Sequence, residues 1–341
     1  MKRKHFCKVP IISTAVLLLA MIGVFSSPVA SQAQTFKWRF ATYGASMTTE
    51  ANVIHQKMAK AVSNRTNGKF VIEVHPAGAL GYAGADHQKV TSQGLIEMGE
   101  TMAGTVSGAP GFLVFAYQGR FKTVADVQKA WAAVEDDLQE AAKNFNCRVA
   151  TSVCRGIAAL HSTKRPFPTI DSLKGIKVRA YNNLSSDTFA ALGMVPQIIA
   201  YAEKYTALST GIVEANPAGL SSQVDNKEYE ICKYTNMWVF DPVDYISFIN
   251  LNSFNALPKE YQDILIDELK KDEREAVKVY TEIEANGLKT LKSKGVTIVD
   301  IAPQELKKEM DILKTLHAKW NTTGGAQAQE IYKKVSAALG Y

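Results

Sequence analysis

Residues 36–44 read FKWRFATYG, with apolar and polar side chains in turn, the period of a half-buried strand. The stretch that follows changes period. Within TTEANVIHQKMAKAVSNRTNGK, Val53, Ile54, Met58, Ala61 and Val62 share one helical face, and Gly68 closes the run. KFVIEVHP (69–76) returns to a strand pattern ended by Pro76. A short helix over about 83–93 stops at Gly94, and LIEMGETM (95–102) is a third strand. Strand, helix, strand, helix, strand at this spacing predicts parallel strands joined by crossover helices.

The alternation resumes downstream. A helix is predicted from Val124 to Asn144, then extended segments over 147–162 and 175–180. Ser185, Ser186 and Asp187 offer N-caps for TFAALG, with Gly193 just past its end. AEKYTALSTG (202–211) repeats the pattern and closes at Gly211 before a strand-like IVEA (212–215). No internal repeat interrupts this order. From Pro258 to about Gly287 the pattern is charged and amphipathic, with no interior proline or glycine. Roughly 30 residues at 1.5 Å each span about 45 Å. Globular helices average about 11–12 residues, so this one is predicted to be a strut crossing two lobes.

Composition changes the picture mainly at the N-terminus. Lys2, Arg3, Lys4 and Lys8 precede an almost wholly apolar run, Val9 to Phe25, and SQA (31–33) supplies small residues ahead of Gln34. That is the pattern of a cleaved secretory signal peptide, residues 1–33, and predicts export to the periplasm. Without it the chain carries 35 basic against 33 acidic residues, a net charge of +2, and nothing suggests a nucleic-acid footprint. About 300 remaining residues exceed what one core usually holds, so two lobes are expected. Cys147 and Cys154 fall in one extended segment, where about 3.3 Å per residue separates them by roughly 20 Å. A disulfide needs Cα atoms within about 7 Å, which excludes that pair on a straight strand. A bond from Cys232 to either, and buried free thiols, both stay open.

Enzyme signatures are missing. There is no G-x-S-x-G, Walker A, G-x-G-x-x-G or H-E-x-x-H pattern, and the histidines beyond the predicted signal peptide, His55, His75, His87, His161 and His317, are scattered. No enzyme activity, cofactor or metal is therefore expected. Glu97 and Glu100 lie three apart on a strand and point to opposite faces, so they form no catalytic dyad. One stretch calls for another explanation. In DSLKGIKVRAYNN (171–183) Ile176, Val178 and Ala180 alternate with Lys177, Arg179 and Tyr181, and the strand runs out into arginine and two asparagines. A solvated edge is the plain reading.

The same stretch resembles the extracytoplasmic solute receptors of TRAP transporters, dicarboxylate-receptor type. The likeness extends to NGKFVIEVHPAGALG (67–81), QGLIEMGE (93–100), ALGMVPQIIAYAEKYTALSTGIVEA (191–215) and NALPKEYQDIL (255–265), in that family's order and spacing. Glu97 and Glu214 stand where aspartate is common. The resemblance implies a type II-like, two-lobed α/β periplasmic binding protein with a long strut helix. The lobes are placed at 34–155 plus 244–283 and at 156–243 plus 284–341. It implies a monomer that captures a small organic anion, a carboxylate or a sulfonate, for membrane permease subunits. A ligand-presenting sensor, an ATP-driven transporter's receptor of the same fold and a periplasmic enzyme are the competing readings.

By position, Arg179 is the residue that grips the ligand carboxylate through a two-pronged salt bridge in such receptors. Arginine suits this because its planar fork meets a carboxylate with two parallel bonds and stays charged when dehydrated. Asn182, Glu100, Tyr43, Tyr201, Trp238 and Phe240 are further expected wall residues, with a loop turn as the alternative for Asn182 and core packing for the aromatics. Three departures bear on the ligand. A second arginine of some relatives falls on Ala159, with Arg155 four residues earlier as the substitute. A ligand asparagine falls on Ala218, with Asn216 two residues off. The leucine-proline-aromatic segment of the first lobe appears as FAYQGRF (115–121).

Overall fold

A computed structural model describes residues 35–340; the predicted signal peptide lies outside them. β1 (Phe36–Ala41), α1 (Glu50–Arg65), β2 (Phe70–His75), α2 (His87–Ser92) and β3 (Met98–Met102) follow the predicted order. β1 pairs in parallel with both β2 and β3, as the crossover spacing requires. Alternation along β1 sends Trp38 and Phe40 into a core with Phe70, Met58 and Val62. The strand stops at Ala41 rather than Gly44, and Tyr43 is left on the loop beyond its end.

The helix predicted over 124–144 is two helices, α3 (Val124–Ala132) and α4 (Glu135–Lys143). Thr123 and Asp126 form a reciprocal cap at the start of α3. The break carries no proline or glycine. Val134 leaves helical geometry (φ −136°) and buries in the core beside Leu138 and Phe248, so burial overrides local propensity.

β4 (Cys147–Ile157) and β5 (Ala159–Ser162) split the predicted extended stretch between two sheets. α5 (Ile170–Leu173), β6 (Lys177–Ala180), α6 (Asn183–Ala191), β7 (Val195–Ile198), α7 (Lys204–Ser209), β8 (Ala215–Ala218), α8 (Leu220–Asp225) and β9 (Tyr234–Asn236) follow. The cap of α6 is Asn182, not one of the residues 185–187. Its side-chain oxygen accepts the Ser185 amide at 2.8 Å, and Ser185 Oγ accepts the Asn182 amide at 3.1 Å. The strand placed at 212–215 begins only at Ala215. β10 (Pro242–Asn250) then returns to the first sheet, and α9 (Leu251–Asn255), α10 (Lys259–Ser293), β11 (Thr297–Val299) and α11 (Pro303–Leu339) complete the chain.

The strands make two sheets, ordered β2-β1-β3-β10-β4 and β11-β9-β5-β8-β6-β7. The chain leaves the first sheet between Ile157 and Ala159 and comes back between Asn236 and Pro242. The two passages run side by side. Ala158 donates to the Asp241 carbonyl at 2.9 Å, and Phe240 donates to the Ala158 carbonyl at 3.1 Å. Gly156, at φ +130°, sits at the first passage, where a Cβ would collide with the Glu284 carboxylate.

α10 carries 35 residues, about 52 Å, and is the expected strut. Leu265 and Leu269 pack under the first sheet, and Leu291 packs with Leu220 and Val296 at the second. Gly287 does not end it. It lies inside the helix where a Cβ would approach the Leu220 Cβ to 2.7 Å, so its bareness lets α8 come close. α11 was not anticipated. It runs for 37 residues with non-helical backbone at Gly325, and its Ile331 and Val335 join the core of the first sheet. Cys147, Cys154 and Cys232 are buried free thiols. Among the described residues no helix is long and apolar enough to cross a membrane.

Candidate ligand-binding site

The strand ends meet where the two passages cross. Two adjoining cavities lie there, each about 40 Å³, sharing Tyr201, Ser222, Val243 and Tyr245 in their walls. Arg155 and Tyr43 line one; Arg179, Tyr181, Lys204 and Asp241 line the other.

Arg179 is on β6, 4% exposed. Strand alternation buries Val178 and Ala180 in the core of the second sheet and sends Arg179 the opposite way. Its Nε donates to the Ile199 carbonyl at 3.0 Å, and one Nη donates to Asn216 Oδ1 at 3.4 Å. Both acceptors are uncharged. Among the described residues Arg179 makes no ion pair, an unusual state for a buried guanidinium. Asn216, on β8, is oriented from behind, because its Nδ2 donates to Glu228 Oε2 at 3.3 Å. Glu228 in turn pairs with Lys204 and accepts from Gln223 at 2.6 Å.

Arg155 is treated differently. It lies near the end of β4, just before the passage between sheets, and pairs with the buried carboxylate of Glu100 on β3. Its guanidinium also stacks over the Tyr245 ring, 3.9 Å from the centroid. Glu100 Oε2 accepts the Tyr43 amide at 2.9 Å, and His55 approaches Oε1 at 3.4 Å. His55 Nδ1 lies 2.9 Å from Asp272 Oδ1 on α10. Burial pushes the Glu100 carboxyl up, but Arg155 and His55 outweigh it and hold it down at about 2. Burial likewise opposes a charged His55, and Asp272 with Glu100 reverse this, lifting the ring to about 9. Arg155, Glu100, His55 and Asp272 thus form a closed chain of alternating charge.

Aromatic side chains bridge the two sides. Tyr43 contacts Tyr201 edge-on at 5.7 Å and Tyr245 at 5.2 Å between centroids. Asn226 Nδ2 donates to the Tyr201 hydroxyl at 2.8 Å, and Lys204 Nζ sits 4.2 Å over the Tyr201 ring. The Tyr181 hydroxyl donates to buried Asp241, whose carboxyl burial raises to about 6. Asp225, at the edge of the other cavity, is likewise raised by burial to about 6.

Of the residues singled out in the sequence, Arg179, Arg155, Tyr43 and Tyr201 come together on the cavity walls. Glu100 and Asn216 stand one layer behind, each holding an arginine. Asn182 caps α6 and donates to the Gly104 carbonyl at 2.9 Å, tying the two sides without lining either cavity. Trp238 and Phe240 are core. The indole donates to the Phe167 carbonyl at 2.8 Å, and Phe240 packs edge-on against Phe189. Tyr181, Tyr245, Asp241 and Lys204 were missed. Only Tyr181 carried a signal, its alternation with Val178 and Ala180 on the arginine strand.

Comparisons with known proteins place the chain in a family. Residues 40–323 match the family of bacterial extracellular solute-binding proteins, family 7. A monocarboxylate 2-oxoacid-binding periplasmic protein of Nostoc sp. is 25% identical over 346 residues, covering 99% of this chain and 93% of that protein. A Bordetella pertussis extracytoplasmic solute receptor binding pyroglutamic acid is similar at TM-score 0.81 and 21% identity, over 88% of this chain and 99% of that one. A Shewanella oneidensis TRAP periplasmic solute-binding protein with bound succinate gives TM-score 0.82 at 16% identity, over 89% and 99%. The chain belongs to family 7 of the bacterial extracellular solute-binding proteins, the two-lobed receptors of TRAP transporters, which bind solutes and are not enzymes.

Proposed function

We propose that this chain is exported, loses residues 1–33 and works in the periplasm as a monomeric receptor that captures a small organic carboxylate through Arg179. It would deliver that acid to the membrane permease subunits of a TRAP transporter. The observation that carries this is the state of Arg179, a buried guanidinium held by a carbonyl and an amide that makes no ion pair among the described residues. A ligand carboxylate would supply that charge with two parallel hydrogen bonds. The names of the relatives point the same way: 2-oxoacids, pyroglutamate and succinate are all small carboxylates. The proposed lobes, 34–155 plus 244–283 and 156–243 plus 284–341, would hinge at the paired passages. Ligand contacts to both sides would then shift an open–closed equilibrium.

A thermal-shift and calorimetry screen of the purified chain across organic acids and sulfonates tests the proposal. Arg179→Ala should lower affinity for the best ligand at least 100-fold, since each charge-assisted bond contributes about 1.5–3 kcal/mol. Binding at wild-type strength in that variant would remove Arg179 as the anchor. A preference for sulfonates would change the head group and keep the anchor.

A further inference from the structure

Three buried cations border the cleft: Arg155, Arg179 and Lys204. A dicarboxylate needs two of them. Arg155 is matched by Glu100, and Lys204 by Glu228. Each of these carboxylates is almost fully buried and cannot turn out to solvent without losing its other bonds. Glu100 also holds the Tyr43 amide and His55, and Glu228 also holds Gln223 and Asn216. Both pairs are therefore neutral in charge, with Arg155 Nε left as an unused buried donor, and of the three cations Arg179 alone makes no ion pair among the described residues. The remaining titratable groups on the cavity walls, Asp225 and Asp241, add negative charge or none.

We infer that the cleft takes a ligand with a single negative charge, a monocarboxylate with an uncharged body, and discriminates against dicarboxylates. The inference rests on the receptor reading above and specifies its ligand class. One carboxylate saturates Arg179. A second would meet Arg155 already paired, or the carboxylate of Asp241 or Asp225, and would lose its hydration without a counter-charge. The uncharged body has partners that suit it. Tyr43, Tyr201 and Tyr245 offer ring faces and edges, and Asp241 Oδ1, which accepts no hydrogen bond among the described residues, can take a hydroxyl or an amide N–H. Flat monocarboxylates bearing a hydrogen-bond donor fit this description best.

Titration calorimetry of the full mature chain at pH 7.5 with pyruvate, lactate, pyroglutamate, succinate and malate tests it. At least one of the three monocarboxylates should bind tenfold or more tighter than both dicarboxylates. Glu100→Gln removes the carboxylate that occupies Arg155 and should shift the ratio at least tenfold toward the dicarboxylates. Should that variant not fold, the wild-type ratio decides alone. Tighter binding of succinate or malate than of every monocarboxylate, lost in Arg179→Ala, would leave the receptor reading standing and overturn the charge inference. No binding of any organic acid would overturn both.

Discussion

Arg155 and Arg179 line two adjoining cavities, 7% and 4% exposed, and the protein solves the problem of burying each in opposite ways. On the side of the first sheet, Arg155 belongs to a line of alternating charge that runs through Glu100 and His55 to Asp272 on the strut helix. On the side of the second, Arg179 donates to the Ile199 carbonyl and the Asn216 amide oxygen and lies 5.7 Å from the Tyr181 ring centroid, with no ion pair among the described residues. Dipoles can position a guanidinium without cancelling its charge. The difference teaches how to tell a structural buried cation from a binding one: the first is matched within the fold, and the second is left to be matched from outside.

The contrast breaks most visibly under mutation. Glu100→Ala strands the Arg155 charge in the interior. Removing one partner of a buried pair typically costs about 3–5 kcal/mol, so denaturant unfolding should show a loss of that order. Arg179→Ala gives up a bond or so to neutral acceptors, about 1 kcal/mol, and the unliganded variant should stay near wild type in the same measurement. Equal destabilisation by the two changes would erase the distinction.

Alkaline titration probes the matched side alone. The folded-state pKa of His55, about 9, lies above its ordinary 6.5. Its contribution is therefore fully present below about pH 6.5 and lost as pH rises through 9. The shift is equivalent to about 3 kcal/mol. The stability gap between wild type and His55→Gln should accordingly shrink from pH 6 to pH 10. A constant gap would mean that folding does not shift the imidazole's pKa.

How much of this was legible in the sequence follows from how local each feature is. Strand alternation showed only that Arg179 faces away from Val178 and Ala180 and left a solvated edge open; its naming as the anchor came from its position in a strand resembling that of the receptor family. The strut was legible because α10 has no interior breaker before Gly287. α11 was not, because the run NTTGG (321–325) interrupts its periodicity and Gly325 does depart from helical backbone. The pairing of Arg155 with Glu100 joins residues 55 apart through the β3-β10-β4 order, which no local pattern encodes. Trp238 and Phe240 were drawn toward the ligand by their aromatic character, yet the passage they occupy is packed on both sides by core residues such as Phe167 and Phe189. Tyr245 and Asp241 sit where the chain re-enters the first sheet, a junction visible only after both sheets are built.

A milder pH effect sharpens the unmatched side. Burial raises the Asp241 carboxyl to about 6, and it shares a cavity with Arg179. Below that pH it is neutral; above it, its charge competes with an incoming carboxylate for the same guanidinium. Affinity for an organic acid should thus fall as pH rises from 5 to 7.5, by roughly an order of magnitude for like charges about 10 Å apart at an effective dielectric near 20. Asp241→Asn should flatten that profile. Affinity that climbs with pH in the wild type would contradict the placement of Asp241 beside the anchor.

The smallest expected effect concerns Asn182, where the ligand-contact expectation and the observed cap diverge. Its Oδ1 caps α6 through the Ser185 amide, and its Nδ2 reaches across to the Gly104 carbonyl. Loss of an N-cap costs about 1 kcal/mol, so Asn182→Ala should lower stability by about that much and affect ligand affinity only through the bridge to Gly104. Asn182→Asp separates the two jobs. It keeps the capping acceptor but sets a second acceptor against the Gly104 carbonyl, so helix stability should survive while the tie between the two sides is lost. If the tie helps hold the cleft closed, the aspartate variant binds less tightly at nearly unchanged stability of the unliganded protein. If Asn182 instead touched ligand directly, the alanine variant would lose affinity more than tenfold, and the loss would vary from one acid to another. A uniform, small loss across acids is the signature of a cap and a strap.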